Sequence, residues 1–241
     1  MRRMGRIEAT WRHPVKSMRG ERVAEAELRW SGLAGDRRYA FVRGDDASRF
    51  PWLTGRQVPG LLRYRPFFVD PANANGSAVK VATPGGRELA VEDPALLAEL
   101  AEAYGAPVQF LHSGRGLHDA SPLSLIGRAT VEALCRAQGV PPDERRFRSN
   151  LVVSVESGAA FEEDGWLGLE LQLGAADDAP RLRVDRKNER CTMITLEPDT
   201  LERTSSLLSA LAKDRANCAG VYASVVRPGL IREGAEIFAI D

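Results

Sequence analysis

Cys191 stands in the run Arg186-Lys187-Asn188-Glu189-Arg190-Cys191-Thr192-Met193. Positive neighbours favour the ionised form of a thiol, so Arg190, with Arg186 and Lys187 nearby, would hold Cys191 as a thiolate. A thiolate is a nucleophile and a ligand for soft metals. Spacing alone also allows a second reading, a small side chain capping a strand. The other cysteines, Cys135 and Cys218, are widely spaced from it and no CxxC occurs. With only His13, His112 and His118 besides, the chain lacks the ligand spacing of a structural zinc site and the cysteine count of an iron–sulfur cluster. A metal bound here would be held mostly by something other than protein. Cys135, on the apolar face of a helix, and Cys218, leading into a strand, read as packing residues. Among the histidines only His13, close in sequence to Lys16, has a claim on a site.

The bulk numbers narrow the partners. Thirty-three basic residues cancel thirty-three acidic ones, which removes the broad positive field that binding to a phosphate backbone requires. Nucleic acid is therefore not an expected partner. The basic start, Met1-Arg2-Arg3-Met4-Gly5-Arg6, runs into Ile7-Glu8-Ala9 with no apolar stretch behind it, unlike a secretory signal. No window approaches the roughly 18 apolar residues of a membrane span. A cytoplasmic protein without a membrane partner is the expectation, and an odd number of scattered cysteines fits that reducing compartment.

The elements that must position Cys191 read mainly as β-structure with a few helices. Ala78 to Ala82 and Arg87 to Val91 flank Thr83-Pro84-Gly85-Gly86, a hairpin signal because the turn needs positive φ. Arg6 to Trp11, Arg22 to Arg29, Arg37 to Val42 and Leu61 to Val69 are further strand candidates. A helix follows, with Asp93 as N-cap, Pro94 at its first position and Gly105 as its stop. A second is expected from about Arg128 to Gln138. Then come six short apolar segments, Leu151 to Val155, Leu169 to Leu173, Arg181 to Val184, Met193 to Leu196, Val221 to Val226 and Ala235 to Ile240, with a helix near Ser205 to Lys213. Short strands at regular spacing favour a barrel or sandwich over a parallel α/β sheet. Two β-rich halves, 1–95 and 96–241, are expected.

Several segments agree in order with one family. Arg190-Cys191 before an apolar run and Pro198-Asp199-Thr200 resembles the cysteine segment of MOSC proteins, named for the C-terminal domain of molybdenum cofactor sulfurase. His13-Pro14-Val15-Lys16-Ser17 resembles the family's YPVKS turn, and Gly35-Asp36-Arg37-Arg38 its next motif. Thr54-Gly55-Arg56-Gln57 resembles T-x-R-Q, Phe147-Arg148-Ser149-Asn150 resembles FRPN, and Phe161-Glu162-Glu163-Asp164-Gly165-Trp166 resembles F-x-E-D-x-W. The layout is similar to that of the mitochondrial amidoxime reducing component and its bacterial relatives. The resemblance implies an N-terminal β-barrel packed on a MOSC β-barrel.

It also implies molybdenum cofactor as ligand, with Cys191 on the metal. Lys16 and Ser17 would then receive a phosphate through an ammonium, a hydroxyl and free backbone N–H groups, although a Lys-Ser turn on its own is most often plain surface. Arg37 and Arg148 suit bidentate contacts to phosphate or pterin atoms, or salt bridges to Asp36 and Glu144. Asn150 would read a pterin edge or cap a turn. Ser121 matches a position where relatives bring a hydroxyl near the cofactor. Asp164 and Trp166 read as structural, one fixing a loop and one sealing the barrel. Two departures stand out: Ser149 replaces the proline of FRPN, which questions the turn's rigidity, and Glu189 lowers the positive potential beside Cys191.

The activity implied is reduction of N-oxygenated compounds such as amidoximes, hydroxamates or hydroxylamines, with Cys191 as the catalytic metal ligand. No G-x-G-x-x-G segment or cluster cysteines are present, so electrons would come from a separate reductase or ferredoxin-like protein. A sulfur carrier with a persulfide on Cys191 is the alternative from another class, and a non-catalytic cofactor-binding module is a third. Pyridoxal phosphate is not an expected cofactor, since the desulfurase domain that would use it is missing.

Overall fold

The structure, a computed structural model, describes residues 1–240. In chain order it contains β1 (Arg2–Arg12), β2 (Glu21–Arg22), β3 (Glu25–Arg29), β4 (Gly32–Leu33), β5 (Tyr39–Arg43), β6 (Arg65–Phe68), β7 (Val79–Ala82), β8 (Glu88–Ala90), α1 (Pro94–Tyr104) and β9 (Val108–His112). There follow β10 (Leu123–Gly127), α2 (Arg128–Ala137), β11 (Leu151–Val155), β12 (Glu170–Leu173), β13 (Arg181–Glu189), α3 (Ser206–Arg215), β14 (Cys218–Arg227), β15 (Gly229–Arg232) and β16 (Glu236–Ile240).

The fold is mainly β, and its larger part is a closed seven-stranded barrel in the order β11-β10-β14-β13-β12-β16-β1. The only parallel neighbours in it, β10 and β11, are joined through α2, because parallel strands need a crossover. β1 closes the ring. It pairs antiparallel with β11 from Gly5↔Val155 to Thr10↔Leu151 and with β16 from Arg2↔Ala239. Closure is tight at Gly5, where a Cβ would lie 1.9 Å from the Ser154 carbonyl oxygen. Ile7, Leu125, Val153, Leu182, Val221 and Ile237 fill the interior, and each such side chain contributes about 1.5–3 kcal/mol by leaving water.

A small sheet, β15-β3-β4, packs Ala26, Leu28, Leu33 and Ile231 into the barrel's own core, while two others, β5-β9 and β6-β7-β8, surround a separate core that includes Val15, Phe41, Leu53, Phe68, Val81, Leu96 and Leu100. In β7 the buried Val79 and Val81 alternate with exposed Lys80, the period of a strand with one wet face. The Thr83–Gly86 turn closes through Gly86 N–H to the Thr83 carbonyl, with Gly86 at φ 81°. Asp93 caps α1 by accepting from Ala95 N–H, and Gly105 ends it at φ 83°. α1 buries its apolar face in this core, while the first strand of the chain belongs to the barrel.

Outside the barrel, α2 and α3 cover Ile126, Val152 and Ala219 with Val131, Leu134, Cys135, Leu207 and Leu211. Cys135 is thus a packing residue. Glu163, wholly buried, accepts from Gly127 N–H at 3.0 Å and Thr130 Oγ1 at 2.9 Å, placing a carboxylate at the N-terminus of α2. Asp164 is held by Lys187 and Arg215, and Trp166 is buried in the barrel.

Some expected elements differ. Met193 to Leu196, expected as a strand, lies in a 3-10 turn, Thr192–Thr195, in which Thr195 Oγ1 bonds the Thr192 carbonyl. The first half of the Leu61 to Val69 segment is also a 3-10 turn, Pro59–Arg63, opened by proline and burying Leu61 and Leu62, so the apolar pair reads equally well as a buried turn or a strand buried on both faces. β5 begins only at Tyr39 because Arg37 is left-handed, at φ 48°. β9 and β15 were not expected. No helix among the described residues is long and apolar enough to cross a membrane.

Candidate functional site

All eight residues expected at the site, Lys16, Ser17, Arg37, Ser121, Arg148, Asn150, Arg190 and Cys191, line one cleft of about 810 Å³ that opens to solvent. They come from five places: the loop after β1, the segment before β5, the approach to β10, the bend before β11 and the end of β13. Ser17, Arg37 and Arg148 are left-handed at φ 66°, 48° and 52°. Each such non-glycine residue costs on the order of 1–3 kcal/mol, and such residues cluster at functional sites. Backbone bonds hold these bends together: Arg37 N–H to the His13 carbonyl at 2.7 Å, and Lys16 N–H to the Tyr39 carbonyl at 2.8 Å.

The cations differ in what they have left to offer a ligand. Arg37 pairs with Asp36, as the salt-bridge reading anticipated, and also donates to the Arg148 carbonyl at 2.9 Å. Arg148 donates to the Met18 carbonyl at 2.7 Å, while Glu144, the alternative partner, is taken by Arg128. Burial, then the nearby Arg37 charge, pushes Arg148 down to about 9. Part of its surface stays open to the cleft, and it remains protonated at neutral pH.

Arg190 is spent on structure. Its guanidinium donates to the Ala219 carbonyl at 2.7 Å, the Phe147 carbonyl at 2.6 Å and Ser149 Oγ at 3.2 Å. Ser149, the residue that replaces proline, therefore supplies a partner that proline could not. Gly220 makes room, since a Cβ there would sit 3.1 Å from Arg190 Nη2 and 2.4 Å from the Leu125 carbonyl oxygen. Burial lowers Arg190 to about 10, with Tyr222 and Cys191 opposing. Asn150 is likewise engaged: its Oδ1 accepts from Ser124 N–H and Oγ, both at 3.2 Å, and its Nδ2 donates to the Trp11 carbonyl. Cys191 is exposed and extended, and its side chain makes no capping bond to the turn that follows.

The cleft also contains residues that sequence reasoning missed. Thr54 and Arg56 line it, and their T-x-R-Q turn meets the cysteine segment so closely that a Cβ on Gly55 would lie 2.8 Å from Met193 Sδ. That motif had been recognised but not placed at the site. His118, Asp119, Phe50 and Tyr222 line the cleft as well, so His118 has the position that had been given to His13 alone. His13 lies behind the wall, in a small pocket with Trp11, Arg19 and Arg148.

His13 is 2% exposed, both ring nitrogens lack a partner, and the ring faces the Ser149 backbone without normal hydrogen-bond geometry. Burial, then Arg148 and Arg37, hold its pKa well below 6.5; burial lowers His118 too. The unfolded chain takes up these protons below pH 6.5 and the folded one does not, so stability is full above that pH and falls beneath it. As the pH falls below 6.5 the wild type should lose up to about 1.4 kcal/mol per pH unit from His13, with a smaller loss from the partly exposed His118. Urea unfolding of His13→Phe should show a flatter acid limb; an unchanged pH slope would remove His13 as the cause.

Two family models divide the chain: the MOSC N-terminal beta barrel domain matches residues 4–109 and the MOSC domain matches residues 112–238. This chain belongs to the MOSC family. None of the curated proteins matches it. Among solved structures, the YUAD protein from Bacillus subtilis is similar in fold, with a TM-score of 0.52 at 14% identity over 98% of this chain and 96% of that one. YiiM from Geobacillus stearothermophilus aligns at 17% identity and a TM-score of 0.39, over 50% of this chain and 55% of its own. The MOSC family is associated with molybdenum cofactor. Among the described residues no three His, Cys, Asp or Glu side chains gather to hold a metal ion, and Cys191 supplies the one thiol among the residues that line the cleft.

Proposed function

We propose that the cleft binds molybdenum cofactor, with Cys191 as the protein ligand to molybdenum, and that the protein reduces N-oxygenated compounds. One observation carries this reading: an exposed thiol lines a cleft into which strained bends at Ser17, Arg37 and Arg148 bring the Lys16 ammonium and two guanidiniums. The donor set fits a pterin phosphate, because arginine and lysine match phosphate oxygens and a thiolate matches a soft metal. When bound, the cofactor supplies the two-electron redox chemistry.

The chain's own residues do the rest. Arg37 and Arg148 neutralise and orient an anionic ligand, while Arg190 holds the cysteine segment against the Phe147–Asn150 bend. Reducing a hydroxylamine to an amine also consumes protons, and His118, Asp119, Glu189 and Tyr222 are among the groups on the cleft wall that can carry one. Electrons come from a separate redox protein.

The test is metal analysis of wild-type protein from a host that makes the cofactor, followed by turnover of an N-hydroxylated substrate with a chemically reduced dye. About one molybdenum per chain, with turnover, is expected. A metal-free protein would sink the reading, and uptake of sulfur on Cys191 from a desulfurase by that protein would establish the carrier instead.

A further inference from the structure

Two carboxylates meet the cations of the cleft, and they are not alike. Asp36 has a fully buried side chain and accepts from His13 N–H at 2.6 Å as well as pairing with Arg37. It is a fixed part of the wall. Asp119 has a side chain 55% exposed, yet its Oδ1 lies 2.5 Å from Lys16 Nζ, whose own side chain is 7% exposed. Lys16 Nζ donates also to the Leu117 carbonyl at 2.9 Å, and its remaining side faces the rings of Phe50 and Trp52 at 5.7 and 5.5 Å. The ammonium expected to receive a phosphate is therefore already occupied by an anion of the protein's own.

The loop bearing that anion is pinned. Ser113 N–H donates to the Arg38 carbonyl at 2.8 Å and Leu117 N–H to the Arg37 carbonyl at 2.7 Å. Leaving Lys16 thus requires only a rotation of the half-exposed Asp119 side chain, on the nanosecond scale of exposed rotamers. Buried Lys16 cannot be left without a counter-ion beside Arg37 and Arg148, so something anionic must replace the carboxylate.

We infer that Asp119 is a built-in competitor for Lys16: it sets the anion affinity of the cleft, keeps the ammonium paired when the cleft is empty, and yields to an incoming phosphate-bearing ligand. The inference rests on the reading of the cleft as an anion site. Cofactor-free full-length protein, titrated calorimetrically with inorganic pyrophosphate at low salt, tests it. Asp119→Asn, which keeps shape and loses charge, should bind on the order of tenfold more tightly than wild type. Lys16→Met in the same background should abolish the gain. Asp119→Ser should repeat the effect if the amide makes a bond of its own to Lys16. Equal affinities for wild type and both Asp119 variants overturn the competitor while leaving an anion site. No binding by any of them overturns the anion site and the competitor together.

Discussion

Cys191→Ala is expected to yield a folded protein whose molybdenum content falls by more than about tenfold, because no other thiol lines the cleft and the Met193 thioether there cannot ionise. The folding half of this expectation comes from the backbone. Cys191 is exposed, extended, and precedes the Thr192–Thr195 turn without capping it. Deleting its sulfur removes no buried contact, so stability should change by no more than about 0.5 kcal/mol. Metal analysis and a melting curve on the same sample check both halves. Wild-type molybdenum content in the variant would show that the thiol is not the ligand, whereas a large fall in melting temperature would make the metal loss uninformative about ligation. Cys191→Ser, which offers a harder oxygen donor, should fall between the two.

Arg190→Ala is expected to have the larger effect on the fold. The substitution leaves the Ala219 and Phe147 carbonyls without their charged donor inside the protein, and it cuts the tie between the cysteine segment and the Phe147–Asn150 bend. Each buried acceptor left without a donor costs about 1–3 kcal/mol, which for these partners comes to about 3–5 kcal/mol once the Ser149 hydroxyl has turned to another partner. For a chain of this size that is a fall of roughly 6–20 °C in melting temperature. Arg190→Lys should recover only part of it, since a single ammonium cannot reproduce the planar fork that reaches three acceptors at once. A variant within about 1 kcal/mol of wild type by urea unfolding would show that the network is not what joins these segments.

Much of this architecture was legible in local chemistry. Asp93, Pro94 and Gly105 mark both ends of α1 because capping and stopping are local requirements, and Leu151 to Val155, a valine-rich run interrupted by Ser154, forms a barrel strand over the same residues. Met193 to Leu196 failed for the opposite reason, since four apolar residues fit a buried turn as well as a strand. β9 escaped notice because its residues are mostly half-exposed or exposed, leaving a weak apolar alternation. The candidate site was legible as a set of motifs in order. Their division of labour was not: that Arg190 and Asn150 are consumed by internal bonds, and that Asp119 reaches Lys16 across about a hundred residues of sequence, are facts of through-space geometry with no local signature.

The closing stave of the barrel is the first strand of the described chain, and this bears on how the protein is made. A ribosome releases β1 long before β11 and β16, the strands on either side of it, exist. During synthesis one edge of β1 waits for Leu151–Val155 to emerge and the other for Glu236–Ile240. Non-local pairing of this kind folds slowly, and unpaired strand edges invite aggregation. The cleft is finished no sooner, because the loop that carries Lys16 hangs from the end of that same strand and Cys191 lies between its late partners. Binding competence is thus acquired late in folding, when β1 meets β11 and β16.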